Sequence, residues 1–309
     1  MKTCLVLGGN GFIGSHLAEW LVKREYNVKV FDNFMTGIMN LEAIKDQIEI
    51  IKGDFLNEMD IRNALRNVDY VFHYISATVP ATATKDPIYD IESNIIGSVK
   101  LFQCAISRNV TKIVFPSSGG TIYGEPKNLP IREIDPLNPI DPYAISKLAI
   151  ERYLYYFNYA YGLDYTILRY SNPYGERQNP YGKQGVISIF LNKIKDGEQP
   201  IIYGDGSMIR DYIYIEDAVE ATIAVLEKKT SEKVFNVGSG EGISINELID
   251  VMSLVAGRKV IPRRIEDTDI HVQKVILDIS RIEREVGWKP GTNIQEGMLR
   301  TWQWLTKGF

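Results

Sequence analysis

Cysteine is almost missing from this chain of 309 residues: Cys4 and Cys104 stand alone, with no C-x-x-C spacing, so neither a disulfide framework nor a cysteine-built zinc site is expected. Histidine is equally sparse, and His16, His73 and His271 make no ligand pattern with neighbouring acids, so no metal site is expected. Neither sign of charge dominates, since 35 Lys and Arg face 39 Asp and Glu for a net charge of −4, and no long basic run is present. That balance argues against a nucleic-acid partner. No apolar run approaches the roughly 20 residues that span a bilayer, and Met1-Lys2-Thr3 enters the first strand-like run with no space for a signal peptide. A cytoplasmic protein with no membrane partner is expected. Repeats and low-complexity segments are absent, and the length suits one large domain or two smaller ones.

Glycine, by contrast, is concentrated where a strand should meet a helix. Gly8-Gly9-Asn10-Gly11-Phe12-Ile13-Gly14 follows the apolar run Cys4 to Leu7 and opens a helix-like segment over 15–23. Gly8 would make the turn, Gly11 would admit a phosphate to the backbone, and Gly14 would pack the helix on the sheet, with the helix N-terminus donating N–H groups. The spacing is G-x-x-G-x-x-G. About twenty residues on, the run Val28 to Phe31 ends at Asp32, whose carboxylate suits ribose hydroxyls and repels a 2′-phosphate, so NAD is expected rather than NADP. Further strand-like runs end at Gly53-Asp54-Phe55 and at Tyr74-Ile75-Ser76, delivering polar or small residues to the edge where open parallel sheets bind ligands.

Strand-like and helix-like runs alternate through the first half, with strands near Leu5, Val28, Ile48, Tyr70, Ile113 and Tyr165 and helices over 95–107 and 144–161. That order predicts an α/β fold, a doubly wound parallel sheet of the Rossmann kind, with a smaller C-terminal α/β cap binding substrate. The first domain is expected over 1–170, with 211–238 returning to it. The second is expected over 171–210 and 239–309, beginning in a Gly-, Pro-, Asn- and Tyr-rich stretch that carries a short helix over 186–195.

Tyr143-Ala144-Ile145-Ser146-Lys147 places a phenol and an ammonium one turn apart at the start of a long helix. The lysine charge, with that of an oxidised nicotinamide, is expected to lower the Tyr143 pKa and make the phenolate a base near neutral pH. The preceding segment, Pro116 to Gly124, brings the hydroxyls of Ser117, Ser118 and Thr121 to the same sheet edge.

With these segments, Asn94, Leu168 to Gly175, Tyr203 to Gly206, Arg210-Asp211-Tyr212 and Gly287-Trp288-Lys289-Pro290, the chain resembles the extended short-chain dehydrogenase/reductase family nearly end to end, specifically nucleotide-sugar epimerases of the UDP-glucose 4-epimerase type. The resemblance implies that Phe12, Ile13, Asp32, Asn33, Asp54, Phe55, Asn94, Tyr143 and Lys147 contact NAD, with Ser171 near the nicotinamide. It implies that Asn172, the backbone near Val186, Tyr203 and Arg210 hold the nucleotide diphosphate. Arg210 suits that role because a guanidinium forks onto phosphate oxygens, with a surface pair to Asp211 as the plainer reading. A homodimer is implied through the aromatic helix over 153–159 and the helix after Asn94.

Two positions depart from the family pattern. Gly119 stands where the family carries a Ser or Thr that shares proton transfer with the tyrosine, leaving Thr121, Ser118 or a water to serve. The C-terminal Arg-x-x-Asp is matched by Arg264 and Asp267, whereas an ungapped register puts His271 on the acidic position. The expected activity is 4-epimerisation of a UDP-hexose, glucose/galactose or their N-acetyl forms, through a 4-keto sugar with NAD recycled. A 4,6-dehydratase would need the family's Thr-Asp-Glu where Gly119-Gly120-Thr121 stands. A decarboxylase, a uronate epimerase or a non-catalytic nucleotide-sugar regulator would also be compatible with these motifs.

Overall fold

In the computed structural model, residues 1–35, 37, 39–266 and 272–308 are described. Six strands build most of the main sheet: β1 (Thr3–Leu7), β2 (Asn27–Asp32), β3 (Ile48–Lys52), β4 (Tyr70–His73), β5 (Lys112–Ser118) and β6 (Asp164–Tyr170). With the strand Val234–Val237 at one edge, the order runs Val234–Val237, β6, β5, β4, β1, β2, β3. The β1–β2, β2–β3, β1–β4 and β4–β5 pairs are parallel. Chain direction across the sheet reverses between β1 and β4, the switch point where doubly wound sheets hold ligands outside the strand C-termini.

The chain divides into two compact units, Met1–Ile122 with Pro139–Arg169 and Thr222–Phe235, and Tyr123–Asn138 with Tyr170–Ala221 and Asn236–Phe309. The domain bounds expected from sequence differ in keeping 123–138, 170, 211–221 and 236–238 with the first unit; 123–138 joins the second because Ile131 pairs with Leu277, a contact no local pattern announces.

In the first unit β1 is buried from Cys4 to Leu7, which explains an unbroken apolar run where a one-sided strand would alternate. Leu5, Leu7, Phe31, Val71, Ile113 and Phe115 join Leu101, Phe102, Ile150 and Leu154 from the helices in one core. The long helix Pro142–Tyr161 starts where it does for local reasons. Asp141 caps it by accepting from Ala144 N at 2.9 Å, Pro142 takes the first helical position, and Gly162 ends it with φ 72°. Tyr143 and Lys147 therefore occupy its first two turns.

The second unit has short strands: Asn172–Tyr174 beside Tyr212–Tyr214, Arg263–Ile265 beside Ile201–Tyr203, and Ile209–Arg210 between Ile243–Ser244 and Lys274–Val275. At two or three residues each, they leave no periodicity to read. Its helices include Val186–Lys195, at the position expected from sequence, and Ile245–Val255, opened by a Ser244–Glu247 capping box. The tail forms two helices, Ser280–Val286 and Ile294–Lys307, separated at Gly287, whose φ is 68°. Among the described residues no helix is long and apolar enough to cross a membrane.

Candidate active site

Gly8 turns the chain out of β1 with φ 75°, and its N–H donates to Phe31 O at 2.8 Å. A Cβ at Gly14 would stand 2.3 Å from Gly8 O, so the helix Phe12–Lys23 can lie on the loop only with glycine there. Gly11 caps that helix with no side-chain hydrogen bond, which leaves the N–H groups of its first turn, from Phe12 and Ile13 onward, to an outside acceptor. Asp32, at the end of β2, accepts from Asn10 N at 3.0 Å and from Phe34 N at 3.3 Å, so its carboxylate is fastened to the same loop. Asn33 and Asp54 shape the next turns by accepting from Met35 N and Leu56 N, and Phe55 is buried.

At the C-terminal ends of β4 and β5 the chemistry gathers. Lys147 is buried, and its Nζ donates to Pro116 O at 3.0 Å, above the Phe115 ring at 4.8 Å and 5.6 Å from the centre of the Tyr143 ring. Burial lowers the lysine pKa to about 8 against the upward pull of Asp90 and Glu151. In the chain by itself burial, then the charges of Asp141 and Asp90, push the Tyr143 pKa up, whereas the lowering expected from sequence draws on the nicotinamide charge as well as on Lys147. The chain alone therefore holds Tyr143 protonated, because a buried phenolate facing two carboxylates is costly.

Thr121 Oγ1 donates to Ser118 Oγ at 2.9 Å, so the two candidate hydroxyls form one pair. Ser117 Oγ is buried without a hydrogen-bond partner. An orphaned hydroxyl, an uncapped helix start and a glycine loop with no room for a Cβ at Gly14 fit a dinucleotide. Asn94 lies in the π-helical turn Ile91–Ile96 that precedes the helix Gly97–Ser107, and so sits just ahead of the helix expected from sequence over 95–107. Its amide donates to Thr78 Oγ1 at 2.9 Å and Asp90 Oδ1 at 3.0 Å, and its oxygen accepts from Ala77 N at 3.1 Å. Tyr74 meets Thr222 Oγ1 at 3.1 Å, Ser76 donates to Thr78 O, and Ile75 is half-buried. His73 faces Ser98 Oγ at 2.7 Å, and burial lowers its pKa to about 3, so it stays a neutral core residue.

Within the second unit, Arg210 donates to the Ile209 and Gln273 carbonyls at 2.9 and 3.4 Å and meets no carboxylate in an ion pair among the described residues. The surface pair with Asp211 does not form. That carboxylate is fully buried and accepts from Ser239 N and Oγ at 2.8 Å each, Leu277 N at 3.2 Å and Gly240 N at 3.3 Å. Asn172 donates from Nδ2 to Asp211 O at 2.8 Å, and Ser171 Oγ is buried without a partner. Val186 begins a helix whose cap, Gly185 at φ 99°, provides no side-chain acceptor, and Tyr203 is exposed. Arg264 spends its guanidinium on Asp205 O at 2.6 Å and Asn246 Oδ1 at 2.7 Å, whereas Asp267 and His271 lie outside the described residues.

Sequence reasoning missed Thr78, Asp90 and Ser146. The single available signal was the i, i+4 spacing of Asp90 and Asn94.

The model of the NAD dependent epimerase/dehydratase family matches residues 4–238. Solved structures resemble the chain over its length. A UDP-glucose 4-epimerase from Thermotoga maritima, solved with UDP-glucose, is 37% identical with a TM-score of 0.94, covering 99% of each chain. A Thermus thermophilus UDP-glucose 4-epimerase in complex with NAD is 33% identical with a TM-score of 0.92, covering 100% of each chain. A UDP-N-acetylglucosamine 4-epimerase from Methanobrevibacter ruminantium, in complex with UDP-N-acetylmuramic acid, is 33% identical with a TM-score of 0.93 over 100% of this chain and 99% of that one.

Proposed function

This chain belongs to the NAD-dependent epimerase/dehydratase family, and from that premise we propose that it is a UDP-hexose 4-epimerase working through a transient 4-keto sugar. The observation that carries the reading is Tyr143 and Lys147 one turn apart, the ammonium fixed on Pro116 O, in the unit that also holds the glycine loop. NAD is the cofactor, and when bound to Gly8, Gly11, Phe12, Ile13, Gly14, Asp32 and Ser117 it supplies a positive charge and a reversible acceptor for the C4 hydride.

The remaining steps fall to the chain's own groups. Tyr143 takes the proton of the sugar 4-hydroxyl and later returns it to the opposite face, with Lys147 stabilising the phenolate. Asn172, the N–H groups at Val186, Tyr203 and Arg210 hold the nucleotide diphosphate, and Arg210 can do so because its charge is not spent on a carboxylate. A hexose anchored through its diphosphate can turn over between the two proton transfers. Gly119-Gly120 offers no acid–base pair for dehydration, which disfavours a 4,6-dehydratase.

Thr121 and Ser118 stand in for the hydroxyl missing at Gly119. Because they share one hydrogen bond, Thr121→Val and Ser118→Ala should each lower kcat about tenfold with KM nearly unchanged, and the double variant should be little worse than either. Single-turnover and steady-state rates check this; silent single variants would hand the step to water.

The enzyme is a cytoplasmic homodimer in this reading. Tyr153, Tyr156 and Tyr161 of the long helix and Val99 and Ile106 of the helix Gly97–Ser107 line one apolar hollow, a surface that a second copy would cover. Incubation with UDP-glucose, UDP-galactose, their N-acetyl forms and UDP-glucuronate, with products resolved, tests the function; 4-epimer formation from a neutral UDP-hexose is expected, and turnover of UDP-glucuronate alone would contradict it.

A further inference from the structure

Asp90 ends the short helix Pro87–Asp90 and is 0% exposed. Its carboxylate accepts from three donors: Thr78 Oγ1 and Asn94 Nδ2 on Oδ1, and Ser146 Oγ on Oδ2. No salt bridge to it forms among the described residues, although an unpaired buried carboxylate is costly. Ser146 is the residue immediately before Lys147, inside the turn that separates it from Tyr143. A single buried anion is thus fastened both to the reacting turn and to the segment that carries Asn94.

Several charged groups surround Lys147, and they differ in what else they hold. On its own helix, Glu151 gives both oxygens to Arg169 of β6, at 3.1 and 2.7 Å, so its charge is matched. Asp141 caps the helix and acts on Tyr143. His73 of β4 is neutral, and β5 presents a ring and a carbonyl. Glu92 of the π turn is exposed, and Lys100 of the helix Gly97–Ser107 is half-buried. Asp90 is left as the carboxylate whose charge no cation of its own cancels.

Resting on the reading that Tyr143 and Lys147 form the reacting pair, we propose that Asp90 is their positioning residue, tying the Tyr143–Lys147 turn through Ser146 to the Asn94 segment with a buried carboxylate that has no cation of its own. It touches neither sugar nor cofactor. Its effect is to keep Lys147 charged at pH values where burial alone would strip the proton.

Asp90→Asn tests this, being close to isosteric and able to direct its new amide at Ser146 Oγ, which can accept as well as donate. In the variant the Lys147 side-chain NMR signal of the cofactor-free protein should titrate about one pH unit lower, and the alkaline limb of kcat should move down with it, while KM for a UDP-hexose stays within about threefold. Ser146→Ala keeps the anion and loses one tie, so it should lower kcat with both titrations in place. Unchanged titrations in Asp90→Asn, or an equal shift in Ser146→Ala, would overturn the proposal. If Asp90→Asn does not fold, Asp90→Ser, whose gap admits a water, is measured in the same way. Wild-type protein without epimerase activity would sink the functional reading, and the NMR titration would still decide the role of Asp90.

Discussion

Tyr143→Phe is expected to retain NAD and UDP and to lose turnover by about two to four orders of magnitude, the range for removing a general acid–base group. The ring stays, so its packing against Lys147 is preserved, and only the proton-carrying oxygen goes. KM for the UDP-hexose should change little, because the hydroxyl acts chiefly as the C4–H bond breaks. Cofactor content after purification, UDP affinity by calorimetry and kcat together decide the matter. A variant within a few fold of wild type would remove Tyr143 from the mechanism.

Lys147→Met separates catalysis from stability. Turnover should fall about 10²- to 10³-fold, as when a fixed charge facing a developing anion is removed. Folding should not suffer in the same way. Lys147 binds its proton more weakly in the folded chain, at about 8, than an ordinary lysine does at 10.5, so its burial penalises folding fully below pH 8. The penalty fades as pH rises from 8 through 10.5. Methionine abolishes it but leaves Pro116 O without its donor, an opposing loss of about 1–3 kcal/mol. The melting temperature at pH 7 should therefore be unchanged or higher, and any advantage over wild type should vanish above pH 10.5. A large destabilisation at pH 7 with activity retained would make Lys147 a structural residue.

What the sequence disclosed and what it hid follow from the range of the forces involved. The glycine loop was legible because turn geometry, uncapped N–H groups and close packing all fall within seven residues. Tyr143 and Lys147 were legible because helical spacing alone brings them to one face. Ser146 reaches Asp90 across 56 positions and Thr78 reaches it across 12, and no local pattern announces either contact. The desolvation that raises the tyrosine pKa in the chain by itself was hidden for a related reason, since burial exists only after folding. Arg210 belongs to both classes, since its motif marked it as a phosphate ligand and the structure alone revealed that Asp211 is engaged elsewhere.

The most direct test of 4-epimerisation is conversion of a UDP-hexose deuterated at C4, run in ordinary water and followed by NMR. The account predicts a mixture of both C4 epimers with the deuterium retained at C4, because the hydrogen leaves as hydride and returns to the same carbon while Tyr143 exchanges only the hydroxyl proton. Loss of the label to solvent, or no 4-epimer from any neutral UDP-hexose in the panel, would contradict it.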